Sequence, residues 1–351
     1  MAGYGTRVSE VVRWNSFSRV NVGPSDLSTP SMWGPSSETP SSVIEQRGMA
    51  IDGSAGTSMY CFDGDFGKLD FLRYDVTNLA YYIRHTGRTA VIGVGGGRDI
   101  LSAHFFGFQD ITGVEFNPIF IDMLSRVFLS YNHLADLPGT RLFVDEARSW
   151  FARSVDHFDS IEMSLVDTWA ATGAGAFSLS ENGLYTLQGW RTFFDHLAPS
   201  GVFTVSRWYS PGNVNETGRM LSLAMATLMD EHISNPREHI FLAAVDNLAT
   251  LIVSRAPFTP AELATLTATT NSLRFTILFS PAITYHQFLY LIAALWPRPH
   301  GKSSARQLRN NLSICQRQQM TGPSSSTSSG SRTLRRFGSP SIRNPAWGGA
   351  I

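Results

Sequence analysis

The chain has 351 residues, of which 43% are hydrophobic and 16% charged, so it can form the cores of one large or two ordinary domains. Lys plus Arg and Asp plus Glu each total 28, but residues 297–351 carry nine of the basic residues and no acidic residue follows Glu262. The remainder of the chain is therefore acidic. An acidic body argues against nucleic acid as the main partner, because phosphate binding needs a basic surface.

The sequence also argues against several other classes of protein. The two cysteines, Cys61 and Cys315, form neither a disulfide framework nor a zinc-binding spacing, and we expect no metal. The first residues lack the apolar core of a signal peptide. The longest apolar run near the other end, 288–296, is too short to span a bilayer. We therefore expect a soluble, cytoplasmic protein with no membrane partner.

A small β-rich N-terminal unit is predicted for residues 8–70. Loosely alternating β-formers indicate strands within 8–20, whereas the Ser-, Pro- and Gly-rich stretch 21–47 is predicted to be a long loop. Two Asp-Gly pairs then interrupt short apolar runs, which is a signal for β-hairpins. The pairs are Asp52-Gly53 and Asp63-Gly64.

From about residue 71 the predicted strands alternate with helices, as in α/β proteins. The strands are predicted at 89–94, 111–115, 140–145, 158–167 and 200–208. The helices are predicted at 75–85, 98–107, 117–132, 146–154 and 183–197. Asn117 as N-cap and Pro118 at the first helical position mark one helix start clearly. The alternation predicts a doubly wound, mostly parallel, seven-stranded Rossmann-like sheet over residues 71–295.

The sheet is expected to end in an antiparallel edge hairpin. A helix is predicted at 213–233, and two strands within 239–255 are joined at Asp246-Asn247. Residues 296–351 are basic, rich in Ser and without periodicity. We expect this last segment to be a disordered tail.

The stretch VIGVGGGRDILSAHFFG (91–107) carries a glycine loop between a predicted strand and a helix. Gly93, Gly95 and Gly97 allow the backbone to pass close to a ligand. The loop continues with Arg98-Asp99, so it lacks the Gly-Lys-Ser/Thr ending of a Walker loop. The third glycine of the dinucleotide fingerprint falls on Arg98, which disfavours a nicotinamide dinucleotide.

An acidic residue, Glu115, ends the next predicted strand 20 residues after Gly95. A carboxylate at this position can accept hydrogen bonds from both hydroxyls of a ribose. The spacing G-x-G-x-G followed by this acid is typical of class I folds that bind S-adenosylmethionine. In the alternative interpretation, the glycines only allow a strand and a helix to pack tightly, and Glu115 is a solvated strand end.

Two later segments place acids after strands of the same predicted sheet. Glu146, with Asp145 as second choice, is the candidate to bind an adenine amino group, although a carboxylate at a helix start is also stabilised by the helix dipole. Asp167 is the one carboxylate in the segment 164–177. It is the candidate to bind or deprotonate an amine, or else an Asp that forms a turn.

These segments together resemble the spermidine synthase-like (polyamine aminopropyltransferase) branch of the class I fold. The resemblance covers about residues 14–255. It is carried by VIGVGGGRDIL, ITGVEFNP, VDEARSWF, FDSIEMSLVDTW and ENGLYT, with PFTPAEL after the edge hairpin. MAIDGSAGTS is similar to the family's Asp-Gly hairpin, and LDFLRYDV to its approach to the first helix. The resemblance implies that Tyr74 is the substrate-facing tyrosine and that Tyr185 lines the acceptor site.

The sequence departs from the family at two positions that carry chemistry. The family's glycine loop ends in an Asp that holds the ammonium of decarboxylated S-adenosylmethionine, and Arg98 stands there. A guanidinium repels that ammonium but suits the carboxylate of S-adenosylmethionine itself, unless Asp99 takes the place by a register shift of one residue. Ser164 stands where the family has its carboxylate base, and a hydroxyl does not replace such a base unaided.

The resemblance implies a spermidine synthase-like transferase that moves an aminopropyl or a methyl group to a small acceptor, an amine and in the family a polyamine. Its predicted catalytic residues are Asp167, Ser164 and Tyr74. The predicted residues for S-adenosylmethionine or its decarboxylated form are Gly93, Gly95, Gly97, Arg98, Asp99, Glu115, Asp145 and Glu146. The alternatives are a cofactor-binding module without turnover and, third, a nicotinamide-dependent oxidoreductase. A homodimer is considered as the assembly.

Overall fold

The first part of the chain forms a four-stranded antiparallel sheet in this computed structural model, which describes residues 9–53, 55–166, 181–210 and 215–282. Its strands, in spatial order, are β1 (Val11–Trp14), β2 (Arg19–Ser28), β3 (Ile44–Ile51) and β4 (Ala55–Tyr60). Asp52 and Gly53 both have positive φ, 49° and 73°, and turn β3 into β4. This is the hairpin predicted at the first Asp-Gly pair.

Two expectations for this region were wrong. The stretch predicted as a loop, 21–47, contains most of β2 and the start of β3. A register shift between Val22 and Ser25 places Pro24 outside the regular pairing, so its missing N–H costs the sheet nothing. The second Asp-Gly pair forms no hairpin, because Asp65 caps a 3₁₀ helix over Phe66–Tyr74 directly after it.

The second sheet has eight strands in the described residues. They are β5 (Arg88–Ile92), β6 (Asp110–Glu115), β7 (Thr140–Val144), β8 (Phe158–Ser164), β9 (Leu197–Trp208), β10 (Ile240–Val245), β11 (Leu248–Ser254) and β12 (Thr276–Phe279). The spatial order is β12-β10-β11-β9-β8-β5-β6-β7. The neighbouring strands β9, β8, β5, β6 and β7 pair in parallel. The pairs β9–β11, β11–β10 and β10–β12 are antiparallel. The predicted fold class is confirmed, with β12 added to the seven expected strands.

The helices connect these strands and cover the faces of the sheet. They are α1 (Arg98–Phe106), α2 (Pro118–Asp122), α3 (Leu129–Asn132), α4 (Ala147–Arg153), α5 (Leu187–Asp195), α6 (Asn215–Asp230) and α7 (Pro260–Ser272). Asn117 caps α2 by accepting from the N–H of Ile119, as predicted. The helix predicted at 75–85 is a 3₁₀ helix over Val76–Tyr82. Most of its residues are buried, and tertiary packing overrides the α-helical propensity of the segment. Within the described residues, no helix has the length and apolar character needed to cross a bilayer.

The N-terminal sheet shares a core with the large sheet. Val22 and Met59 from its inner face are fully buried in the same cluster as Ile100 of α1 and Phe120 of α2. The sheet therefore lies over the loop that joins β5 to α1. The boundary expected at residue 70 stays a prediction, and the expected tail, 296–351, lies outside the described residues.

The connection between β2 and β3 reaches the far end of the described chain. The hydroxyl of Ser36 donates to the carbonyl of Leu273 at 2.7 Å, across 237 positions of sequence. Arg274 pairs with Glu38 at 3.2 Å beside it. These contacts bind the N-terminal region to the residues just before β12.

Candidate active site

The glycine loop at the carboxyl end of β5 has the conformation that its sequence predicts. Gly93, Gly95 and Gly97 have φ values of 80°, 50° and 87°, in the left-handed region that disfavours side chains. A Cβ on Gly93 would lie 2.7 Å from Cγ2 of Val166. Gly96 was not singled out in the sequence, but a Cβ there would lie 2.2 Å from the carbonyl oxygen of Ser58 in β4.

Glu115 lies at the carboxyl end of β6, next to the glycine loop. Its Oε2 accepts from the N–H of Gly95 at 3.0 Å and its Oε1 from the N–H of Asn117 at 2.8 Å. The residue is buried, and burial raises the pKa of its carboxyl while the backbone N–H groups oppose that rise. The carboxyl group of Glu115 thus joins the glycine loop to the residue that caps α2, at the position where the sequence predicts a ribose to bind.

Four of the predicted cofactor residues meet at one small cavity: Gly93, Glu115, Asp145 and Glu146. Its apolar lining comes from the side chains of Ile92, Val114, Ala147, Val166 and Leu184, together with Phe116. The cavity measures about 50 Å³, the volume of one or two water molecules. Its mixture of carboxylates, apolar walls and a glycine suits an adenosyl group, which would enter only if side chains such as Val166 and Leu184 moved.

The acidic pair after β7 already has partners within the chain. Glu146 is the N-cap of α4 and accepts from the N–H groups of Arg148 and Ser149, at 3.1 and 3.0 Å. Burial raises the pKa of Glu146, but these hydrogen bonds outweigh it and lower the pKa overall. Asp145 accepts from the N–H of Glu146 and pairs with Arg153. The helix-capping role considered for Glu146 is therefore present, while its binding of adenine stays a prediction.

Arg98 lies inside the protein, in a cluster of charges at the start of α1. Its Nε and Nη2 donate to Oδ1 of Asp99 at 2.8 and 2.5 Å, and its Nη1 lies 3.5 Å from Oδ2 of Asp75. Burial would lower the pKa of Arg98, but the two carboxylates outweigh it and hold that pKa above its usual range. Arg98 thus faces two carboxyl groups of its own chain, and the expectation that it meets a cofactor carboxylate stays a prediction.

Asp75 is a fixed part of this cluster. It is fully buried and accepts from the backbone N–H groups of Trp33, Gly34 and Thr77, at 2.9, 3.2 and 3.1 Å. The guanidinium of Arg98 also lies 5.4 Å from the ring centroid of Trp33. With Arg98, Asp99 and Asp75 all ionised, the cluster carries a net negative charge.

Glu162 in β8 is a functional candidate that the sequence analysis missed. Its side chain is fully buried; one oxygen accepts from the hydroxyl of Tyr81, and Oε1 accepts from the hydroxyl of Ser164 at 2.9 Å. Burial raises the pKa of Glu162 well above its usual range, and the charge of Asp99 adds to this. The signal was present in the sequence, because Ser160, Glu162 and Ser164 alternate along an otherwise apolar strand and therefore share one face.

The predicted acceptor side of the site is an aromatic cluster. Tyr74, Trp33 and Trp208 pack against one buried cluster that includes Leu165, and the two indole rings meet edge to face at 6.4 Å. Leu165 directly follows Ser164, so the serine adjoins this cluster at the end of β8. Asp167, the other predicted catalytic acid, lies outside the described residues.

Tyr185, the predicted acceptor-binding residue, instead supports the backbone beside the cavity. Its hydroxyl donates to the carbonyl of Val166 at 2.9 Å. Arg207, at the end of β9, donates to the same carbonyl at 3.0 Å and stacks on the Tyr185 ring at 4.9 Å. Arg207 also pairs with Glu216 at 2.8 Å. Nothing in the sequence around Arg207 indicated this role, because Val166 and Tyr185 lie 41 and 22 positions away.

No group of three or more His, Cys, Asp or Glu side chains within the described segments is arranged to hold a metal ion. The site is therefore described by its carboxylates, hydroxyls, backbone N–H groups and aromatic rings.

The large sheet and its helices form a Rossmann-like α/β fold, to which the N-terminal antiparallel sheet is added. A probable spermidine synthase from Corynebacterium glutamicum ATCC 13032 superposes with a TM-score of 0.50 and 14% identity, over 85% of this chain and 99% of its own. This likeness confirms the fold predicted by resemblance.

Two other solved structures give lower TM-scores. Spermidine synthase from Thermotoga maritima gives a TM-score of 0.43 and 12% identity, over 87% of this chain and 88% of its own. Human methyltransferase-like protein 13 in complex with SAH gives a TM-score of 0.37 and 15% identity, over 57% of this chain and 90% of its own. A scan against protein-family models and a search of curated proteins found no match.

Proposed function

We propose that this protein is a transferase that binds S-adenosylmethionine or its decarboxylated form and transfers an alkyl group from it to a small amine. The observation that carries the proposal is the cavity that joins Gly93, Glu115 and Asp145 at the carboxyl ends of β5, β6 and β7. Ligands of open parallel sheets bind at this edge, where the strand order reverses. The glycine loop, the strand-end carboxylate and the apolar walls together favour an adenosyl group over other ligands.

Each residue has a distinct part in the proposed binding. Gly93 leaves room for the cofactor beside Val166, and Glu115 accepts from ribose hydroxyls in addition to its backbone donors. Asp145 and Glu146 lie where an adenine amino group would be bound. When bound, the cofactor supplies a carbon bonded to a positively charged sulfur, and the sulfur departs as a neutral thioether. Positioning the amine in line with that bond then supplies much of the rate.

The charge cluster of Arg98, Asp99 and Asp75 favours the decarboxylated form of the cofactor. The cluster sets two carboxyl groups, those of Asp99 and Asp75, against the single guanidinium of Arg98, and their oxygens disfavour a further carboxylate. The aromatic rings of Trp33, Tyr74 and Trp208 provide faces that attract a cationic amine acceptor. Aminopropyl transfer to an amine is thus the reaction we favour over methyl transfer.

The proposal is tested by isothermal titration of the purified protein with S-adenosylmethionine, its decarboxylated form and NADH. We expect both sulfonium compounds to bind, the decarboxylated form more tightly, and NADH not to bind. Glu115→Gln should weaken binding by about tenfold to a hundredfold, the loss for a hydrogen bond to a charged group. Asp110→Asn is the matched control, since it makes the same change at the opposite end of β6. Equal loss in both variants, or binding of NADH alone, would refute the proposal.

Binding without turnover is the second candidate, favoured by one observation. The residue at the end of β8 where a carboxylate base is expected is Ser164, a hydroxyl. Product analysis with radiolabelled cofactor and a panel of diamines separates the two candidates. A transferred label in the amine fraction supports the enzyme, whereas tight cofactor binding with no transferred label supports the binding module.

A further inference from the structure

We propose that Glu162 takes the proton from the acceptor amine through the hydroxyl of Ser164, an inference that rests on the proposed amine transfer. Glu162 thereby supplies the carboxylate that Ser164 lacks. The two residues are separated by one position in β8, so their side chains lie on the same face of the strand.

The geometry links a buried acid to the acceptor side of the site. Ser164 Oγ lies 2.9 Å from Glu162 Oε1 and donates to it. Ser164 retains 8% of its exposure, whereas Glu162 is fully buried. The next residue, Leu165, belongs to the buried cluster against which Trp33 and Tyr74 pack. Ser164 is therefore the member of the network that an amine in this cluster can reach.

The charges around Glu162 single it out from the other buried acids as the proton acceptor. Asp99 receives two hydrogen bonds from Arg98 and so holds a cation, although burial raises the pKa of Asp99 overall. The oxygens of Asp75 are taken up by three backbone N–H groups and the hydroxyl of Thr77. Glu162 is held instead by the two neutral hydroxyls of Tyr81 and Ser164, so it can take up and release a proton without losing a cation partner.

The groups that face Glu162 raise its pKa overall. Burial raises its pKa most, and Asp99 from α1 raises it further. The hydroxyls of Tyr81 and Ser164 lower the pKa, as does the charge of Arg98. A carboxylate with a raised pKa is a stronger base than an exposed one, and general bases work best when their pKa approaches the working pH.

The proton transfer balances without any further reactant. An alkylammonium R–NH₃⁺ enters and gives one proton to Ser164 Oγ while the proton of Ser164 passes to Glu162 Oε1. The electron pair of the broken N–H bond stays on nitrogen as the lone pair that attacks the electrophilic carbon. Glu162 changes from carboxylate to neutral acid, and its proton returns to water through Ser164 once the product has left.

The test uses the full chain with three variants and two readouts. Glu162→Gln keeps the shape, and its amide can accept from one of the two hydroxyls and donate to the other, but it cannot take up a proton. The kcat should fall by about 100-fold to 10,000-fold with the cofactor Kd unchanged. Ser160→Ala, on the same face of β8, is the matched control, because its hydroxyl has no hydrogen-bond partner in the structure and its loss should leave kcat unchanged. Ser164→Asp in the Glu162→Gln background places a carboxylate directly at the amine and should restore most of the turnover.

The outcomes separate this inference from the proposed function. A loss of turnover in Glu162→Gln, together with its recovery when Ser164→Asp is added, supports the proton path. If Glu162 had only a structural role, a carboxylate at another position would not restore turnover. Wild-type turnover that persists in Glu162→Gln, or a loss without rescue in a folded double variant, overturns the path and leaves the proposed function standing. A wild-type protein that transfers no label to any amine overturns both.

Discussion

Replacement of Gly96 by alanine tests how the N-terminal sheet and the glycine loop depend on each other. The new Cβ would lie 2.2 Å from the carbonyl oxygen of Ser58 and 2.6 Å from its carbonyl carbon. These are backbone atoms of β4, so the loop and the strand must part by roughly an ångström. Overpacking of this kind costs about 1–3 kcal/mol, and the upper half of that range applies because no flexible side chain can yield.

Gly95→Ala is the control for this prediction. At Gly95 the φ of 50° disfavours alanine, but the nearest side-chain atoms, those of Thr57, lie 3.5 Å from the added Cβ. Gly95→Ala should therefore lower the free energy of unfolding only through its left-handed backbone conformation, by about 1 kcal/mol. Since about 1 kcal/mol lowers Tm by roughly 2–4 °C in a protein of this size, Gly96→Ala should lower Tm by about 4–12 °C and Gly95→Ala by about 2–4 °C.

The assay is thermal unfolding followed by circular dichroism at one scan rate, with cofactor titration of each variant at a temperature where both are folded. Gly96→Ala should also weaken cofactor binding, because the loop moves away from Glu115, whose Oε2 accepts from the N–H of Gly95. If Gly96→Ala is as stable as Gly95→Ala, the close approach of β4 does not hold the loop and the reasoning is wrong.

Three further predictions concern the same site. Tyr81→Phe removes a hydrogen bond that lowers the pKa of Glu162, so the acidic limb of the kcat/KM profile should move to higher pH; an unmoved limb would contradict the network. Because the folded-state pKa of Glu162 is raised, wild-type stability should fall as pH rises through that pKa, by at most about 1.4 kcal/mol per pH unit. Denaturant unfolding of Glu162→Gln at several pH values should lack this fall. Arg207→Ala removes one of the two hydrogen bonds to the carbonyl of Val166 beside the cavity and should weaken cofactor binding about tenfold by calorimetry, and an unchanged Kd would argue against that support.

The parts of the fold that local pattern determines were predicted from the sequence. The glycine loop, the strand ending at Glu115 and the turn at Asp246 all follow from short-range signals, and the structure has them at the predicted positions. Strand β12 was missed because four residues of ordinary β-formers become a strand only by pairing with β10. The loop expected at 21–47 failed because pairing with a neighbouring strand outweighed its Gly and Pro content.

The site was predicted only where a residue's role depends on its own place in the chain. Gly93 and Glu115 are such residues, since each lies at the end of a strand and needs no distant partner. The environment of Arg98 depends on Asp75, 23 positions earlier, and that of Glu162 on Tyr81, 81 positions earlier. Such pairings arise from the tertiary fold, so the sequence alone did not show that Arg98 lies beside Asp99 and Asp75.

The hydrogen bond between Ser36 and Leu273 has a consequence for how the chain folds during synthesis. The two residues are 237 positions apart, so the connection between β2 and β3 has to wait for its partner after it leaves the ribosome. At a synthesis rate of about 5–20 residues per second, the wait is about 12–50 seconds. Contacts of such long range also slow folding itself. The N-terminal sheet is therefore synthesised first, but its contacts with Leu273 are among the latest to form in the described residues.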